Sequence, residues 1–429
     1  MIVSQPTDRP AIAGGRPAFA GGLPLARPRV APPEAVARDV ESILADGVLT
    51  NGPFVRRLEE RAAIYLGVRH CVAVASCTQG LMLILRAAEL SGEVVMPSFT
   101  FAASAHAVDW NGLQPVFTDI DPRSLTLDPE SVARAIGMRT SAILATHVYG
   151  TPCDVEALTR IAREHGLRLF FDAAHAFGSS RKGRMIGGFG DAEVFSLSPT
   201  KPLVAAEGGI IATDDDLLAE RCRIGRDYGN PGDYDCRFVG LNARMSELHA
   251  ATALVSFDGL EERLVARRSL ADAYHGAFAG ITGITTPDVP GVDRSTYKDL
   301  TILVDPDLFG VSADDLAGAL SAEGIETRRY YQPPVHRMRA YEGRARRTGD
   351  LPVTAWAADR VLCLPLWDGM DGPQVQRVAE AIRRIQAWSK TRTGARPAQK
   401  TYGARPMAAA PPPHTVDPSP EREERPWTT

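Results

Sequence analysis

Residues 168–178 read RLFFDAAHAFG and residues 195–201 read FSLSPTK. The first opens with the short apolar run 168–172 (RLFFD), and the second follows from the run 192–197 (AEVFSL); each run gives way abruptly to polar residues. Such runs belong to strands buried on both faces. Five more occur: 72–75 (VAVA), 94–97 (VVMP), 115–120 (PVFTDI), 141–147 (SAILATH) and 209–213 (GIIAT). Amphipathic helical patterns, such as 129–137 and 153–165, lie between them. Short buried strands alternating with helices predict an α/β fold built on a seven-stranded, mostly parallel sheet.

After about Leu260 the pattern changes to a long charged helix and then a strand–helix mix over 297–390. The expected organisation is a large α/β domain over 26–258 and a smaller C-terminal α+β domain over 259–390. Residues 1–25, rich in Gly, Pro and Ala, are expected as a flexible arm. Residues 391–429, rich in Pro, Ala and charge, are expected as a disordered tail.

The chain has 429 residues, more than one average domain needs, and a net charge of -4, which recruits neither nucleic acid nor an acidic membrane surface. No apolar run approaches the roughly 18 residues that span a bilayer. MIVSQPTDRP has no basic segment followed by an apolar one, so no signal peptide is read there. The six cysteines form no C-x-x-C pair and no Cys/His cluster with zinc spacing. A cytoplasmic protein without a metal is the expectation.

In open α/β sheets ligands sit beyond the carboxyl ends of the strands. Three of those ends carry chemistry. Ala75-Ser76-Cys77-Thr78-Gln79-Gly80 brings small and hydroxylic residues into a helix start, where free amides and the positive helix end suit a phosphate. A plain Ser/Thr cap reads the same way. Asp172 closes an apolar strand, where an unpaired carboxylate is costly. A protonated pyridine nitrogen is one partner that answers it, with His175 three residues on; a capping role is another. Lys201 lies in a turn between apolar strands, where a desolvated amine becomes nucleophilic, although most loop lysines are merely solvated. A phosphate cradle, then an aspartate, then a lysine 29 residues later is the order a pyridoxal-phosphate site requires.

The stretch from about Leu25 to Gln386 resembles the DegT/DnrJ/EryC1/StrS family of aminotransferases. The matching pieces include TNGPFVRRLEE, VAVASCTQGL, MPSFTFAASAHAV, DAAHAFG, FSLSPTK, EGGIIATDD, VGLNARMSELHAA and YYQPPVH, in the family's order. The resemblance implies a fold-type-I pyridoxal-phosphate transferase with Lys201 as the lysine that carries the cofactor. Asp172 matches the acid at the ring nitrogen, and His175 the position beside the ring. Thr78, Gln79 and Ser196 match phosphate-holding positions, and Phe101 the aromatic that stacks on the ring, with core packing as its alternative. Asn242 matches an asparagine that reaches the phosphate of the neighbouring subunit, which implies a homodimer with shared sites. Tyr331 and His336, in YYQPPVH, are candidate substrate contacts. The implied reaction moves an amino group from glutamate or glutamine to a keto-sugar, by resemblance a nucleotide-linked one. A keto-cyclitol or other ketone, or a non-catalytic cofactor-binding protein, stands as the alternative. The sequence departs from the family at Cys77, usually glycine, at Gln79, which could project toward substrate, and at Leu197 and Ser198.

Overall fold

The computed structural model describes residues 9–28, 32–288, 292–344 and 346–393. Each of the seven apolar runs forms a strand: β1 (His70–Val74), β2 (Glu93–Pro97), β3 (Gln114–Thr118), β4 (Thr140–Thr146), β5 (Arg168–Asp172), β6 (Ala192–Ser196) and β7 (Gly209–Thr213). They lie in the order β1-β7-β6-β5-β4-β2-β3. Only β7 runs against its neighbours, pairing antiparallel with β1 and β6. The sheet has eight strands, not seven: Arg346–Arg347 adds a short parallel edge beside Val116 and Phe117 of β3. Two consecutive arginines give no apolar signal, so this strand was invisible to periodicity.

Every residue of β2, β6 and β7 is buried, because helices cover both faces. Successive side chains of a strand point to opposite faces. Phe170 therefore joins one core, with Leu81, Ile84 and Val108 of α3 (Cys77–Ala87) and α4 (Ala102–Trp110). Phe171 joins the opposite core, with Val132 and Leu158. The helical patterns at 129–137 and 153–165 become Pro129–Ala135, capped by Asp128, and Val155–Glu164, capped by Asp154. The helix Pro53–Leu66 lacks a side-chain cap of its own. Glu247, fully buried at the start of the helix Glu247–Asp258, supplies one by accepting from the amides of Gly52 (2.8 Å), Phe54 (2.8 Å) and Val55 (3.0 Å).

The C-terminal half packs its own core around a three-stranded sheet, Ile284–Thr285, Leu300–Val304 and Val361–Leu364. Tyr274, Ile302, Leu316 and Ile382 are buried there together with Phe19 and Leu23. The stretch expected as a loose arm is thus built into this core over residues 9–25. Glu323 holds it by accepting from the amides of Ala11 (2.9 Å) and Ala18 (2.8 Å). Apolar Phe19 and Leu23 gain a buried site that composition alone does not reveal. The last helix, Gly372–Thr393, runs past the expected boundary at 390. The tail expected beyond it, over 394–429, lies outside the described residues.

Candidate active site

The carboxyl ends of β1, β4, β5 and β6 meet at one rim, above a cavity of about 340 Å³. Thr78, Phe101, Asp172, His175, Ser196, Lys201 and Tyr331 all line it, although they come from five segments of the chain. Asp172 ends β5, and only 3% of it is exposed. Its Oδ2 accepts from Ser104 Oγ at 2.6 Å and its Oδ1 from the Ala174 amide at 3.1 Å. Burial raises its pKa, while the Ser104 and Ala174 bonds hold it down. Both hydrogen-bond donors are neutral, and Lys201 and His147 act on the carboxylate only through space.

Ser104 has one proton, and it is committed to Asp172. Thr100 Oγ1, 2.9 Å from Ser104 Oγ, must therefore donate to it. Thr146 Oγ1, at 3.0 Å, must in turn donate to Thr100. Three buried hydroxyls aim their dipoles at Asp172. None was singled out in the sequence, because isolated Ser and Thr residues on separate elements carry no pattern.

Lys201 sits in the turn after β6, its amide donating to Ser198 O at 3.0 Å. Burial and then the nearby positive charge of Lys298 lower its pKa to about 8. The Tyr149 amide donates to His175 Nδ1 at 3.1 Å. Burial, and then Lys201 and Lys298, hold the pKa of His175 well below its usual value, so the ring is neutral with its proton on Nε2.

At the other end of the cavity Ser76 caps α3 through its hydroxyl, which accepts from the Gln79 amide at 3.2 Å. The helix start is crowded: a Cβ on Gly209 would come within 2.7 Å of the Cys77 amide nitrogen. Cys77 does not obstruct it, because its thiol turns to the Val194 carbonyl at 3.6 Å. Phe101 is 60% exposed, which excludes the core-packing reading and leaves its ring free at the cavity mouth.

The side chains of Gln79 and His336 lie outside the lining, and so does Asn242, which is expected at the neighbouring subunit's site. The Gln79 side chain is turned away from the cavity and donates to the Asn242 carbonyl at 3.0 Å. His336 lies outside the lining, with Nδ1 2.6 Å from Ser98 Oγ, while its own amide donates to that oxygen at 2.9 Å. This pair ties the C-terminal segment to the end of β2. Asn242 is exposed, with Oδ1 3.2 Å from Arg244 Nη2, and does not reach its own chain's cavity. It does not cap the next helix either, since Ser246 does. Sequence reasoning also missed Lys298, which lines the cavity from the loop before Leu300–Val304.

A mostly parallel α/β sheet with a buried aspartate, a buried lysine of lowered pKa and a helix start around one cavity is the framework of a transferase. The chain belongs to the DegT/DnrJ/EryC1/StrS aminotransferase family, whose sequence model matches residues 33–383. It is similar to the dTDP-3-amino-3,4,6-trideoxy-alpha-D-glucose transaminase of Streptomyces venezuelae, at 36% identity over 81% of this chain and 90% of the relative. It is similar also to the dTDP-4-amino-4,6-dideoxy-D-glucose transaminase of Escherichia coli, at 34% identity over 80% of this chain and 93% of the relative. Among solved structures it superposes on DesI, crystallised with its TDP-sugar product, with a TM-score of 0.85 and 39% identity, covering 91% of this chain and 99% of that one. No group of three or more His, Cys, Asp or Glu residues that could hold a metal occurs among the described residues, nor does a helix long and apolar enough to cross a membrane.

Proposed function

We propose that this aminotransferase uses pyridoxal phosphate to carry an amino group from glutamate or glutamine to the keto group of a nucleotide-linked sugar. The observation that carries the reading is Asp172, a buried carboxylate with only neutral hydrogen-bond donors, in one cavity with a lysine whose pKa is about 8. The residues fit the cofactor. Asp172 would pair with a protonated ring nitrogen, the α3 start and Ser196 would take the phosphate, and Lys201 would take the aldehyde. When bound, the group supplies an electron-withdrawing ring that weakens bonds at the amino-bearing carbon.

The chain's own residues do the rest. Lys201 Nζ, more readily deprotonated than an ordinary lysine because its pKa lies at about 8, accepts a proton from the substrate carbon and returns it. Asp172, supported by its hydroxyl chain, keeps a positive charge on the ring nitrogen. His175 stays neutral and presents Nε2–H without adding charge. Phe101 covers the open side of the cavity. Asn242, exposed and absent from its own cavity, is read as reaching the site of a second copy in a homodimer.

The names of the relatives support the sugar substrate. The test is to incubate the purified protein with each amino donor and with TDP- and UDP-linked 3-keto and 4-keto sugars, reading amino-sugar products by mass spectrometry. Failure with every keto-sugar, while the donor half-reaction proceeds, overturns the acceptor class.

A further inference from the structure

One charged side chain in the cavity has no part in holding the cofactor. Lys298 is 7% exposed and lines the cavity beside Tyr330 and Tyr331. Its Nζ donates to Asp299 Oδ1 at 2.8 Å and lies 5.5 Å from the centre of the Tyr330 ring. The loop that presents it is clamped. The Lys298 amide donates to Tyr149 O at 2.9 Å, and the Lys298 carbonyl accepts from Arg267 Nη2 at 2.9 Å. The same guanidinium also holds the carbonyls of Thr296 and Tyr297. Burying an ion pair is expensive, and it contributes little to stability over an apolar pair of similar volume. Holding one rigidly at a cavity wall therefore points to a ligand.

The chemistry of the two half-reactions names that ligand. This argument rests on the reading above, that an amino acid gives the nitrogen and a keto-sugar takes it. The donor carries a carboxylate on the carbon that bears its nitrogen; the sugar carries none there. The space beside the reacting carbon must thus hold a carboxylate in the first half and an uncharged sugar ring in the second, the acceptor's own charge lying away on its diphosphate. Of the two lysines that line the cavity, Lys201 is committed to the cofactor and must be uncharged to react.

We propose that Lys298 seats the carboxylate of the amino donor, and that Asp299 keeps the same ammonium paired when the uncharged ring of the keto-sugar takes the donor's place. An ammonium has three protons. One is held by Asp299, so others remain to give to a carboxylate. With the donor gone, the ion pair leaves no unbalanced cation facing the sugar. Asp299 Oδ2 is buried with no hydrogen-bond partner, so the carboxylate can turn or shift its hold without breaking another bond.

The test compares wild-type holoenzyme with Lys298→Met, with Lys298→Arg, and with the double variant Lys298→Met/Asp299→Asn, which leaves no buried charge behind if the single variant misfolds. Two quantities are read: the glutamate concentration for half-maximal rate in the donor half-reaction, followed by cofactor absorbance, and the Kd of glutarate, a carboxylate that cannot react, by calorimetry. Loss of the ammonium should raise both by roughly 10- to 100-fold, while bound cofactor and the affinity for TDP stay within twofold. Lys298→Arg should recover most of the affinity. If a folded Met variant binds glutarate within twofold of wild type, Lys298 is not the seat. If instead the wild-type enzyme reacts with no amino acid at all, the aminotransfer reading fails, and this proposal falls with it.

Discussion

Replacing Ser104 with alanine isolates the contribution of the hydroxyl chain. Ser104 Oγ donates to Asp172 Oδ2 at 2.6 Å and accepts from Thr100, which accepts from Thr146. The substitution removes one of two donors to a carboxylate that is buried and must stay ionised. Hydrogen bonds to charged groups contribute about 1.5–3 kcal/mol, and the upstream dipoles act through Ser104 alone, which places the loss toward the upper end. If Asp172 works by holding charge on the ring nitrogen, that energy appears in the barrier as a roughly 10- to 100-fold slower donor half-reaction. Alanine also leaves Thr100 without its acceptor, so stability falls too. The assay is therefore single-turnover absorbance with saturating glutamate, run beside urea unfolding so that the folded fraction is known. Asp172→Asn sets the floor, because it removes the charge altogether. A folded Ser104→Ala enzyme that turns over within threefold of wild type, while Asp172→Asn is crippled, refutes the idea that the hydroxyls sustain the carboxylate.

Cofactor capture by the apo-protein needs Lys201 uncharged. Its rate should rise with pH through about 8 and level off above, and in Lys298→Met the limb should move to higher pH, because losing a nearby cation and exposing Asp299 both favour the protonated lysine; an unmoved limb contradicts the assigned cause. Borohydride treatment of the holoenzyme should fix the cofactor to one peptide, the one containing Lys201, and a label on any other lysine removes the assignment. Glu247→Ala strands two buried amides, of Gly52 and Val55, and the part-buried one of Phe54; at about 1–3 kcal/mol for each buried group, unfolding free energy should drop by about 2 kcal/mol or more, with Glu247→Gln losing clearly less; a drop under about 1 kcal/mol shows that water replaces the carboxylate. Lys201→Ala and Asn242→Ala subunits, mixed and allowed to exchange, should regain activity above either parent, because some dimers place both lesions in one site; a plain average of the parents would mean that Asn242 serves only its own chain.

The seven main strands were legible because burial on both faces writes itself as apolar runs, and a ligand rim at their ends follows from topology. Asp172 and Lys201 stood out as polar residues where the runs stop. What stayed hidden depends on contacts between distant segments. The Ser104–Thr100–Thr146 chain joins two elements through hydroxyls that are common everywhere. Lys298 reaches the cavity from the C-terminal half, after the pattern that defined the site has ended. Gln79 and His336 had the right neighbours in sequence, but their side chains found nearer partners in Asn242 O and Ser98 Oγ. The N-terminal segment looked loose because Phe19 and Leu23 show no period, and their burial depends on residues around Glu323.

The arginine pair at 346–347 bears on how the protein is made. A ribosome builds β3 early and its covering strand late. Through most of synthesis the outer edge of QPVFT stands open, with Val116 and Phe117 offering backbone groups to any passing chain. Unprotected edges of this kind nucleate aggregates. A nascent or prematurely terminated polypeptide is therefore most at risk along that flank. Once the edge is closed, it ends in two adjacent arginines, Arg346 paired with Glu93 and Arg347 exposed, and a second sheet approaching there would meet charged side chains.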